Sequence, residues 1–543
     1  MLAALLAFVL AALRTGFTFA VVPPEGRVPP PNPAPAQAPA PDPGAGLFAG
    51  EIPRLAFTVA PEDVARLAED PRRYVRAAMA DGTTTLTVAI RLKGAAGSFR
   101  PFDDRPALTI DVNRFSAESR FRGLRKFHLN NSVQDESYLN ELLGFEAFRS
   151  VGIPATRVTH AQVVLNGRDC GLYVLKESFD AAFLKRHFPA AEGNLYDGGL
   201  LQDLDAELER DMGRGPTDRS DLRAIVEACR DEDFARGVRT LEELVGMEQL
   251  VTLMAVERLL GHWDGYTDSA NNYRLYFDPS TAKAVLLPHG LDQILGDPGL
   301  PLFDDAGPLL SSTVLRSDRW FERYRQRVAE LAPTVFDLAN VEATIDAACA
   351  RLAAPLAELG PDAVARHAEI ANDLKRRLRL RAAFLSTHVR EPRPEPLRFT
   401  AGAALSIPTW AAYRESDRMR LEAGDGPDGH TEYRIVAFGA EPAESTWRTK
   451  IPLQRGHYLL HVAMRTDGVA SSDEEPETGA LLVTSAGNAE RERTGTSDWA
   501  IVTAPLTVRE DWRMVECAIR LRAVRGTVVV RNARIERVAD PGE

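Results

Sequence analysis

The chain has 543 residues, a formal net charge of −12 and an apolar share of 45%. That length exceeds what one hydrophobic core usually serves, so we expect at least two folded units. The acidic balance argues against a general nucleic-acid binder, which needs a basic face to neutralise phosphates. Four scattered cysteines form no zinc-binding spacing, so we interpret them as free thiols, with a disulfide as the alternative: Cys170, Cys229, Cys349 and Cys517.

The first 22 residues resemble a signal peptide. Their apolar block, Leu2 to Leu13, is shorter than the about 20 apolar residues of a membrane-spanning helix. Basic residues before it are missing, so an uncleaved membrane anchor or a misassigned start codon is the alternative. Residues 23–46 are a Pro-rich linker, which predicts an extended spacer. We therefore expect an extracytoplasmic protein, secreted or anchored at the surface, that meets a membrane only through this segment.

From residue 47 the pattern becomes globular and mostly β. The segment "TTTLTVAIRLKG" alternates apolar and polar residues, as a strand does, and "RPALTIDVNRF" and "GLRKFHLN" predict further strands. The segment "DESYLNELLGFEAFRSVG" predicts a helix closed by Gly152. In "HAQVVLNGRDCGLYVLKES" the pair Asn166-Gly167 tolerates the positive φ of a tight turn, which predicts a hairpin.

From about Phe179 the balance shifts to helix. The segment "TLEELVGMEQLVTLMAVERLLGHW" is apolar nearly all round, which predicts a buried helix, and residues from about 320 to 390 also have helical spacing. The Pro-rich segment "EPRPEPLRF" marks another boundary. Beyond it, short alternating segments such as "VECAIRLRA" predict a separate β-sandwich domain over residues 396–543.

Polar side chains between two apolar segments form the first candidate site. His262 and Asp264, followed by Asn271 and Asn272, offer the H-x-D…N layout that protein kinases use for an orienting carboxylate and a metal-binding amide. Asp292 follows the apolar strand "AKAVLLP", and its spacing from Asp264 fits a loop, a hairpin and a return. Oxygen donors of this kind suit Mg²⁺, which takes substrate phosphates as further ligands. The pattern therefore favours a phosphoryl-transfer site.

Loop formation is the alternative explanation of these residues. Asp264-Gly265 and Asp278-Pro279 are turn-forming pairs, and H-x-D occurs often by chance. Their placement favours a site, because the polar groups flank a helix that is apolar all round. An aspartate directly after a continuous apolar strand is also seldom needed for solubility. We therefore expect a cleft here.

The first half offers a cation for phosphates. Lys126 lies on a predicted strand before the helix that carries Glu141 and Glu146, and either glutamate is a possible partner. Arg125 is an equally available cation, and a lysine on an alternating strand usually faces solvent. The order of these parts, followed by a short link into a helical half, is that of a two-lobed kinase. The chain lacks a GxGxxG loop, and "KGAAGSF" is only a weak substitute.

Taken together, these segments resemble the CotH kinase family, the atypical protein kinases related to spore coat protein H. The likeness runs from about residue 49 to 390 and rests on six ordered segments, none of them specific alone: "RLKG…SF…RPALTIDV", "FRGLRKFHLNN…DESYLNELLGFEAFRSVGIPATR", "VVLNGRDCGLYVLKESFDAAFL", "EGNLYDG", "HWDGYTDSANNYRLYFD" and "LLPHGLDQILG".

The resemblance implies an α+β fold in which a two-lobed, protein-kinase-like domain precedes an all-β, jelly-roll-like sandwich. The kinase domain would cover residues 47–390, with an N-lobe at about 50–178 and a C-lobe at about 179–390. ATP with Mg²⁺ or Mn²⁺ would be the cofactors, and Ser or Thr of a protein substrate would be the acceptor.

The resemblance also implies roles for single residues. Asp264 and His262 are the catalytic candidates, and Asp264 would orient the acceptor hydroxyl. Asn272 and Asp292 would hold the metal. The candidates for cofactor binding are Lys126 for the phosphates, together with Arg105, Glu146 and Glu177.

Two departures from the family pattern bear on activity. Where the family commonly has Pro-Trp-Asp-x-Asp, this chain has "PHGLD", so Gly290 stands in place of one of the two acids. Arg105 stands where many members carry lysine, and arginine binds phosphate as a planar fork rather than as a point charge. Loss of activity is therefore possible, and a pseudokinase scaffold is the alternative function.

In that alternative, the C-terminal domain binds cell-surface carbohydrate. Four tryptophans offer rings for stacking on sugars, although a tryptophan in a sandwich is more often part of the core: Trp410, Trp447, Trp499 and Trp512. A third hypothesis is a metal-dependent phosphohydrolase that uses the same aspartates.

Overall fold

The computed structural model describes residues 44–95, 97–400, 402–427, 429–470, 478–487 and 492–539. The predicted signal segment and the predicted linker up to residue 43 lie outside these ranges. The described residues form twelve helices and nineteen strands. No helix in these ranges combines the length and the apolar character needed to cross a membrane.

Seven strands at the N-terminal end close into a barrel in the order β1-β2-β3-β4-β5-β7-β6. Their neighbours pair antiparallel except β1 and β6, whose parallel pairing closes the barrel. Alternate residues such as Phe57, Ile90 and Leu175 point inward and fill the interior, because strand side chains alternate between two faces. The bounds are β1 (Arg54–Val59), β2 (Val75–Asp81), β3 (Thr84–Lys93), β4 (Ala107–Asp111), β5 (Lys126–Asn130), β6 (Val158–Leu165) and β7 (Arg168–Glu177).

Three helices accompany the barrel: α1 (Ala45–Ala49), α2 (Pro61–Glu69) and α3 (Asn140–Ser150). Helix α3 is the predicted one, and Gly152 follows it with a φ of 82°. Its apolar residues Phe145 and Phe148 are fully buried and belong to the core of the following helical region. Helix α3 therefore connects the barrel to that region. At the β6–β7 turn, Asn166 and Gly167 both have positive φ, which confirms the predicted hairpin.

Residues 181–388 are mainly helical and contain one four-stranded antiparallel sheet in the order β11-β10-β8-β9. Every residue from Leu250 to Leu259 in α7 (Met247–Leu259) is buried, as predicted, but the single helix predicted for this segment is interrupted at Val245 and Gly246. The bounds are α4 (Ala181–His187), β8 (Leu195–Asp197), β9 (Glu209–Met212), α5 (Ser220–Cys229), α6 (Phe234–Leu244), α7 (Met247–Leu259), α8 (Tyr266–Ser269), β10 (Tyr273–Asp278), β11 (Lys283–Pro288), α9 (Leu309–Arg316), α10 (Asp318–Val335), α11 (Leu338–Ala357) and α12 (Ala363–His388).

The C-terminal region is all-β, as predicted, and its strands form one eight-stranded sheet. The two long strands shift register between Gln454 and Gly456, and side chains on both sides of this shift, such as Leu453 and Leu460, share one apolar core. The bounds are β12 (Leu405–Ser406), β13 (Ala411–Arg414), β14 (Met419–Asp425), β15 (Thr431–Ala437), β16 (Ala443–Val469), β17 (Gly479–Thr484), β18 (Gly495–Ala523) and β19 (Gly526–Val538).

The all-β region packs directly against the helical region. The guanidinium of Arg393 lies over the ring of Phe321 at 4.0 Å and over the ring of Trp512 at 4.4 Å. The indole N–H of Trp512 donates to the carbonyl of Pro394 at 3.2 Å. This contact, here called the Arg393 joint, fixes the all-β region beside α10.

Candidate functional site

A cavity of about 480 Å³ lies where the barrel meets the helical region. From the barrel, Lys93, Asn130 and Lys176 line it, on β3, β5 and β7. Asp264 and Asp292 line it from the helical region, on the loops before β10 and after β11. The β10–β11 hairpin brings the two loops together, as the predicted loop, hairpin and return require.

A buried ion pair forms the barrel side of the cavity. The Nζ atom of Lys176 lies 2.5 Å from Oε1 of Glu141 on α3, and the two side chains are only 1% and 2% exposed. The other oxygen of Glu141 accepts a hydrogen bond from Asn130, which in turn accepts one from Lys93. Glu141 is thus linked to two lysines that line the cavity.

These groups shift one another's pKa values. Burial would raise the pKa of Glu141, but the charges of Lys176 and Lys93 outweigh burial and lower it. Burial lowers the pKa of Lys93 to about 7, and the charge of Lys176 acts in the same direction. The cavity therefore holds one lysine that changes charge near neutral pH.

Asp264 is held in place by two amides. Its Oδ1 accepts from the side chain of Asn271 at 2.9 Å, and its Oδ2 accepts from the side chain of Asn272 at 2.8 Å. A carboxylate oxygen has two lone-pair directions, so each oxygen retains one for a further partner. The arrangement fixes the orientation of the carboxylate and leaves each oxygen able to accept a further hydrogen bond.

The loop that carries Asp264 is anchored on a buried carboxylate. Glu257, at 0% exposure, accepts from the backbone N–H groups of Tyr266 at 3.2 Å and Thr267 at 2.8 Å. Burial raises the pKa of Glu257 to about 7. A Cβ on Gly265 would lie 2.6 Å from His262 and 2.7 Å from Glu257, so only glycine fits between them without a shift.

Asp292 faces the ion pair across the cavity. Burial raises its pKa, and the nearby charge of Glu141 raises it further. Its carbonyl accepts from the side chain of Asn140 at 2.8 Å, and Asn140 precedes Glu141 on α3. Helix α3 thus positions both the partner of Lys176 and the loop of Asp292.

His262 lies behind the cavity rather than in its wall. The side chain is fully buried, and its Nε2 is 3.1 Å from the carbonyl of Gly290. Burial lowers its pKa to about 4, so the ring is neutral at physiological pH. The predicted catalytic histidine therefore joins the loop of Asp264 to the loop of Asp292 and does not face a substrate.

Gly290 lies where the two loops approach each other most closely. Its φ is 53°, and a Cβ at this position would lie 2.0 Å from Oδ1 of Asn272. The N–H of His289 donates to the carbonyl of Asn272 at 2.9 Å. The missing acid of the family pattern therefore coincides with a position where a side chain fits only if that of Asn272 moves.

The four predicted cofactor-binding residues do not line the cavity. Lys126 lies on the same face of β5 as His128 and Asn130. Those two residues line the cavity, whereas Lys126, at the start of the strand, does not. Glu146 is a surface residue with a 61% exposed side chain and pairs with Arg149 at 2.6 Å.

The other two predicted residues are engaged elsewhere. Arg105 donates to the hydroxyl of Tyr138 at 3.2 Å. Glu177 is buried between Arg157 at 2.8 Å and Arg186 at 2.5 Å. In the structure these charges serve as packing and ion-pair partners outside the cavity.

The residues predicted from the sequence included neither Lys93 nor Lys176, which both line the cavity. Lys176 lies in "GLYVLKES", near the end of a strand on which every residue from Cys170 to Glu177 is buried. A lysine in such an apolar run is rarely tolerated unless it is paired, and this was the available signal.

The chemistry of the donors fits a magnesium ion that is shared with phosphates. Among the described residues, no three His, Cys, Asp or Glu side chains are grouped as a metal site of their own. Asp292 and Asn272, whose side chains carry oxygen donors, line the cavity, and Mg²⁺ needs only one or two protein carboxylates when phosphates and waters complete its shell.

The tryptophans of the all-β region serve mainly in packing. Trp410, Trp447 and Trp512 are 5%, 6% and 3% exposed. Trp499 lies under two guanidinium groups, those of Arg465 at 5.3 Å and Arg531 at 4.0 Å. Three of the four rings are thus unavailable for stacking on a sugar.

Residues 90–385 match the family model CotH, described as CotH kinase protein, and the chain belongs to this family. It is 24% identical over 196 residues to inner spore coat protein H of Bacillus subtilis, and the aligned segment covers 34% of this chain and 53% of that relative. It is also 24% identical over 174 residues to spore coat protein homolog 1 of Rhizopus delemar, and this segment covers 30% of this chain and 29% of that relative. The chain thus spans about half or less of the length of these relatives.

Solved structures that resemble part of the chain include carbohydrate-binding modules. One is the C-terminal CBM6 of LamC from Zobellia galactanivorans, with a TM-score of 0.16, 13% identity, and coverage of 25% of this chain and 99% of that chain. Another is the family 11 module of Lic26A-Cel5E from Clostridium thermocellum, with a TM-score of 0.17, 13% identity, and coverage of 27% and 97%. Likeness at these scores says nothing about what this chain binds.

Proposed function

We propose that this protein is a CotH-type protein kinase that transfers a phosphoryl group from ATP to Ser or Thr of an extracytoplasmic or surface protein. In this proposal the barrel is the N-lobe, at about 50–178, and the helical region is the C-lobe, at about 179–390. The observation that carries the proposal is the cavity in which the pair Lys176–Glu141 faces Asp264 and Asp292.

The barrel side supplies positive charge for the phosphates. Lys176 takes the role that the sequence analysis gave to Lys126, and Glu141 takes that of Glu146. Lys93 adds a second cation. Phosphoryl transfer is catalysed mainly by positioning and by stabilising charge on the phosphoryl oxygens, and buried cations do this best because the site is shielded from water.

The helical side supplies the acceptor and metal groups. Asp264 receives a hydrogen bond from the acceptor hydroxyl and orients it, since its two amide partners hold the carboxylate still. Asn272 and Asp292 would hold Mg²⁺ or Mn²⁺, which when bound neutralises charge on the phosphates. His262 keeps the two loops in register.

The surface location rests on the predicted export segment and on the names of the two relatives, which are spore coat proteins. A coat or surface protein is therefore the class of substrate that we propose.

The test is phosphate transfer by the full chain. Purified protein is incubated with γ-labelled ATP, Mg²⁺ or Mn²⁺ and a generic protein acceptor. We expect labelled Ser or Thr in the wild type and loss of label in Asp264→Asn and in Asp292→Asn. The matched control is Asp346→Asn, which changes an aspartate with a 67% exposed side chain on α11. Equal label in all four proteins would contradict the assignment of the two aspartates.

A nucleotide-binding scaffold is the second candidate, and the glycine at position 290 favours it. The same samples distinguish the two functions. A thermal shift with ATP and Mg²⁺ but no labelled protein indicates the scaffold, because a ligand that binds only the folded state raises its melting temperature. Release of free phosphate without labelled protein indicates a phosphohydrolase.

A further inference from the structure

A second cavity, of about 560 Å³, lies between the helical region and the all-β region. Arg230, at the end of α5, and Arg316, at the end of α9, line it from the helical side. Arg509 and Arg513 line it from β18. Four guanidinium groups from two separate regions thus face one space.

Two of these arginines share a single carboxylate. Arg316 lies 3.5 Å and Arg513 lies 3.2 Å from Oε1 of Glu510, and Arg316 also meets Asp305 at 3.2 Å. Both arginine side chains are 19% exposed. Burial lowers the pKa of Arg513 and the charge of Arg316 lowers it further, while the charges of Glu510 and Asp305 act in the opposite direction.

The other two arginines lie at the mouth of the cavity. Both side chains are 57% exposed. Arg230 pairs with Asp205, which is outside the lining. The partner of Arg509 is Glu232, which also lies outside the lining, and their charged atoms are 3.8 Å apart.

The wall offers little negative charge to balance these groups. Its carboxylates are Asp231 and Glu510. Asp231 is already held by Arg236, at 2.5 Å, and Glu510 by the two buried arginines. A ligand that enters meets four arginines that are each already paired, although Asp205, Asp305 and Glu232 lie outside the lining and only Glu510 lies within it.

We propose that this cavity binds a small phosphate-bearing molecule, held by arginines from both regions. The guanidinium fork matches the oxygens of a phosphate, and charge-assisted hydrogen bonds of this kind are the stronger ones. The volume falls in the range of pockets for small organic ligands and exceeds what a bare ion needs. The hydroxyls of Ser312 and Thr313 in the lining donate to the carbonyl of Leu309, and that of Thr507 lies 3.2 Å from Nδ1 of His457. Each retains a lone pair that can accept from a polar, uncharged remainder such as a sugar.

This site is independent of the proposed kinase activity, because it shares no lining residue with the first cavity. A ligand that touches both walls is bound completely only while the two regions stay docked. Binding therefore stabilises the docked arrangement.

The test is calorimetric titration of the full chain with inorganic phosphate and with a hexose 6-phosphate, each against the unphosphorylated hexose. We expect the hexose phosphate to bind more tightly than phosphate, and the hexose alone not to bind. In Arg230→Gln/Arg509→Gln we expect the Kd to rise at least about tenfold, since two charged contacts are lost. Both positions are exposed, so the variant is expected to fold.

The charge-matched control is Arg398→Gln/Arg414→Gln, which removes two arginines with 87% and 61% exposed side chains outside the cavity. Its Kd should equal that of the wild type. The proposal is overturned by no binding up to about 10 mM, by an unchanged Kd in the Arg230/Arg509 variant, or by equal weakening in the control. Binding of phosphate alone, with no gain from the hexose, would overturn the small-molecule assignment.

Discussion

The family region and the all-β region bury polar side chains differently. In the family region, Lys176, Glu257 and Arg381 are almost completely buried. Among the described residues of the all-β region, the most deeply buried polar side chains are hydroxyls such as Ser445, and the carboxylates of Glu432 and Glu510 are buried less completely. Burying a charge costs several kcal/mol unless it is paired or hydrogen-bonded. The family region therefore contains the charges whose burial is nearly complete, and each of them needs a partner.

The buried charged side chains of the family region differ from one another in their partners and in their access to the first cavity. Arg381 donates to four backbone carbonyls, among them those of Leu259 at 3.0 Å and Leu300 at 2.6 Å, and it does not reach the first cavity. Lys176 has one carboxylate partner and opens onto the cavity. We conclude that Arg381 supports the structure, whereas Lys176 is available to a ligand.

The largest expected effect is that of Lys176→Met, which removes a buried charge from the family region. It leaves Glu141 buried without its main partner, and breaking such a pair typically costs about 3–5 kcal/mol. We expect that loss in the free energy of unfolding, measured by urea titration, together with loss of phosphate transfer.

The double variant Lys176→Met/Glu141→Leu separates the two effects. It removes both charges, so stability should largely return while transfer does not. Lys185→Met, at an exposed position on α4, is the control and should leave both unchanged. Full transfer by the double variant would contradict the role of Lys176.

The second prediction concerns the Arg393 joint, where the two regions meet. Arg393→Ala removes a guanidinium that lies over two rings, and each such contact contributes about 0.5–2 kcal/mol. We expect the all-β region to unfold at a lower temperature than the family region, giving two calorimetric transitions. The control is Arg398→Ala, whose side chain is 87% exposed and which should leave the melting profile unchanged.

The third prediction concerns Lys93. Its pKa of about 7 means that it is mostly neutral above neutral pH in the free protein. A bound phosphate raises that pKa, so binding of ATP above pH 7 takes up a proton, and affinity falls as the pH rises. Below pH 7 the lysine is already charged and little uptake occurs.

Calorimetry in two buffers of different ionisation enthalpy measures this proton uptake. Lys93→Met is the reference, because protons of ATP itself titrate equally with both proteins. Equal proton uptake by both proteins would mean that Lys93 does not meet the phosphates.

The smallest expected effect is that of Lys126→Ala. This lysine lies outside the cavity and is only half-buried, so we expect a change in stability within about 0.5 kcal/mol and unaltered transfer. A loss of phosphate transfer as large as that of Lys176→Met would indicate that Lys126 binds the phosphates. In that case a half-buried lysine would matter as much for transfer as the buried one.

Local patterns predicted much of the fold and of the helical side of the site. The buried helix α7, the Asn166-Gly167 hairpin and the all-β region each follow from a period or a dipeptide within one segment. Asp264 and Asp292 were found in the same way, because a single hairpin connects their loops. Their orientation by Asn271 and Asn272 needs the folded geometry.

The barrel side of the site could not be predicted, because it depends on how the seven strands close into a barrel. Lys126 and Lys176 both lie on strands, and only the ring of seven strands decides which of them faces the cavity. Glu141 and Glu146 lie on one helix but on different faces, so one is buried and the other exposed. A short segment of sequence does not indicate which distant strand its residues will pair with.

The close approach at Gly290 has a consequence for how this chain can change. An aspartate there must displace the side chain of Asn272, which also holds Asp264. Gly290→Asp alone is therefore expected to disturb the orientation of Asp264. The missing acid can be restored without that disturbance only if a second change, at Asn272, makes room for it.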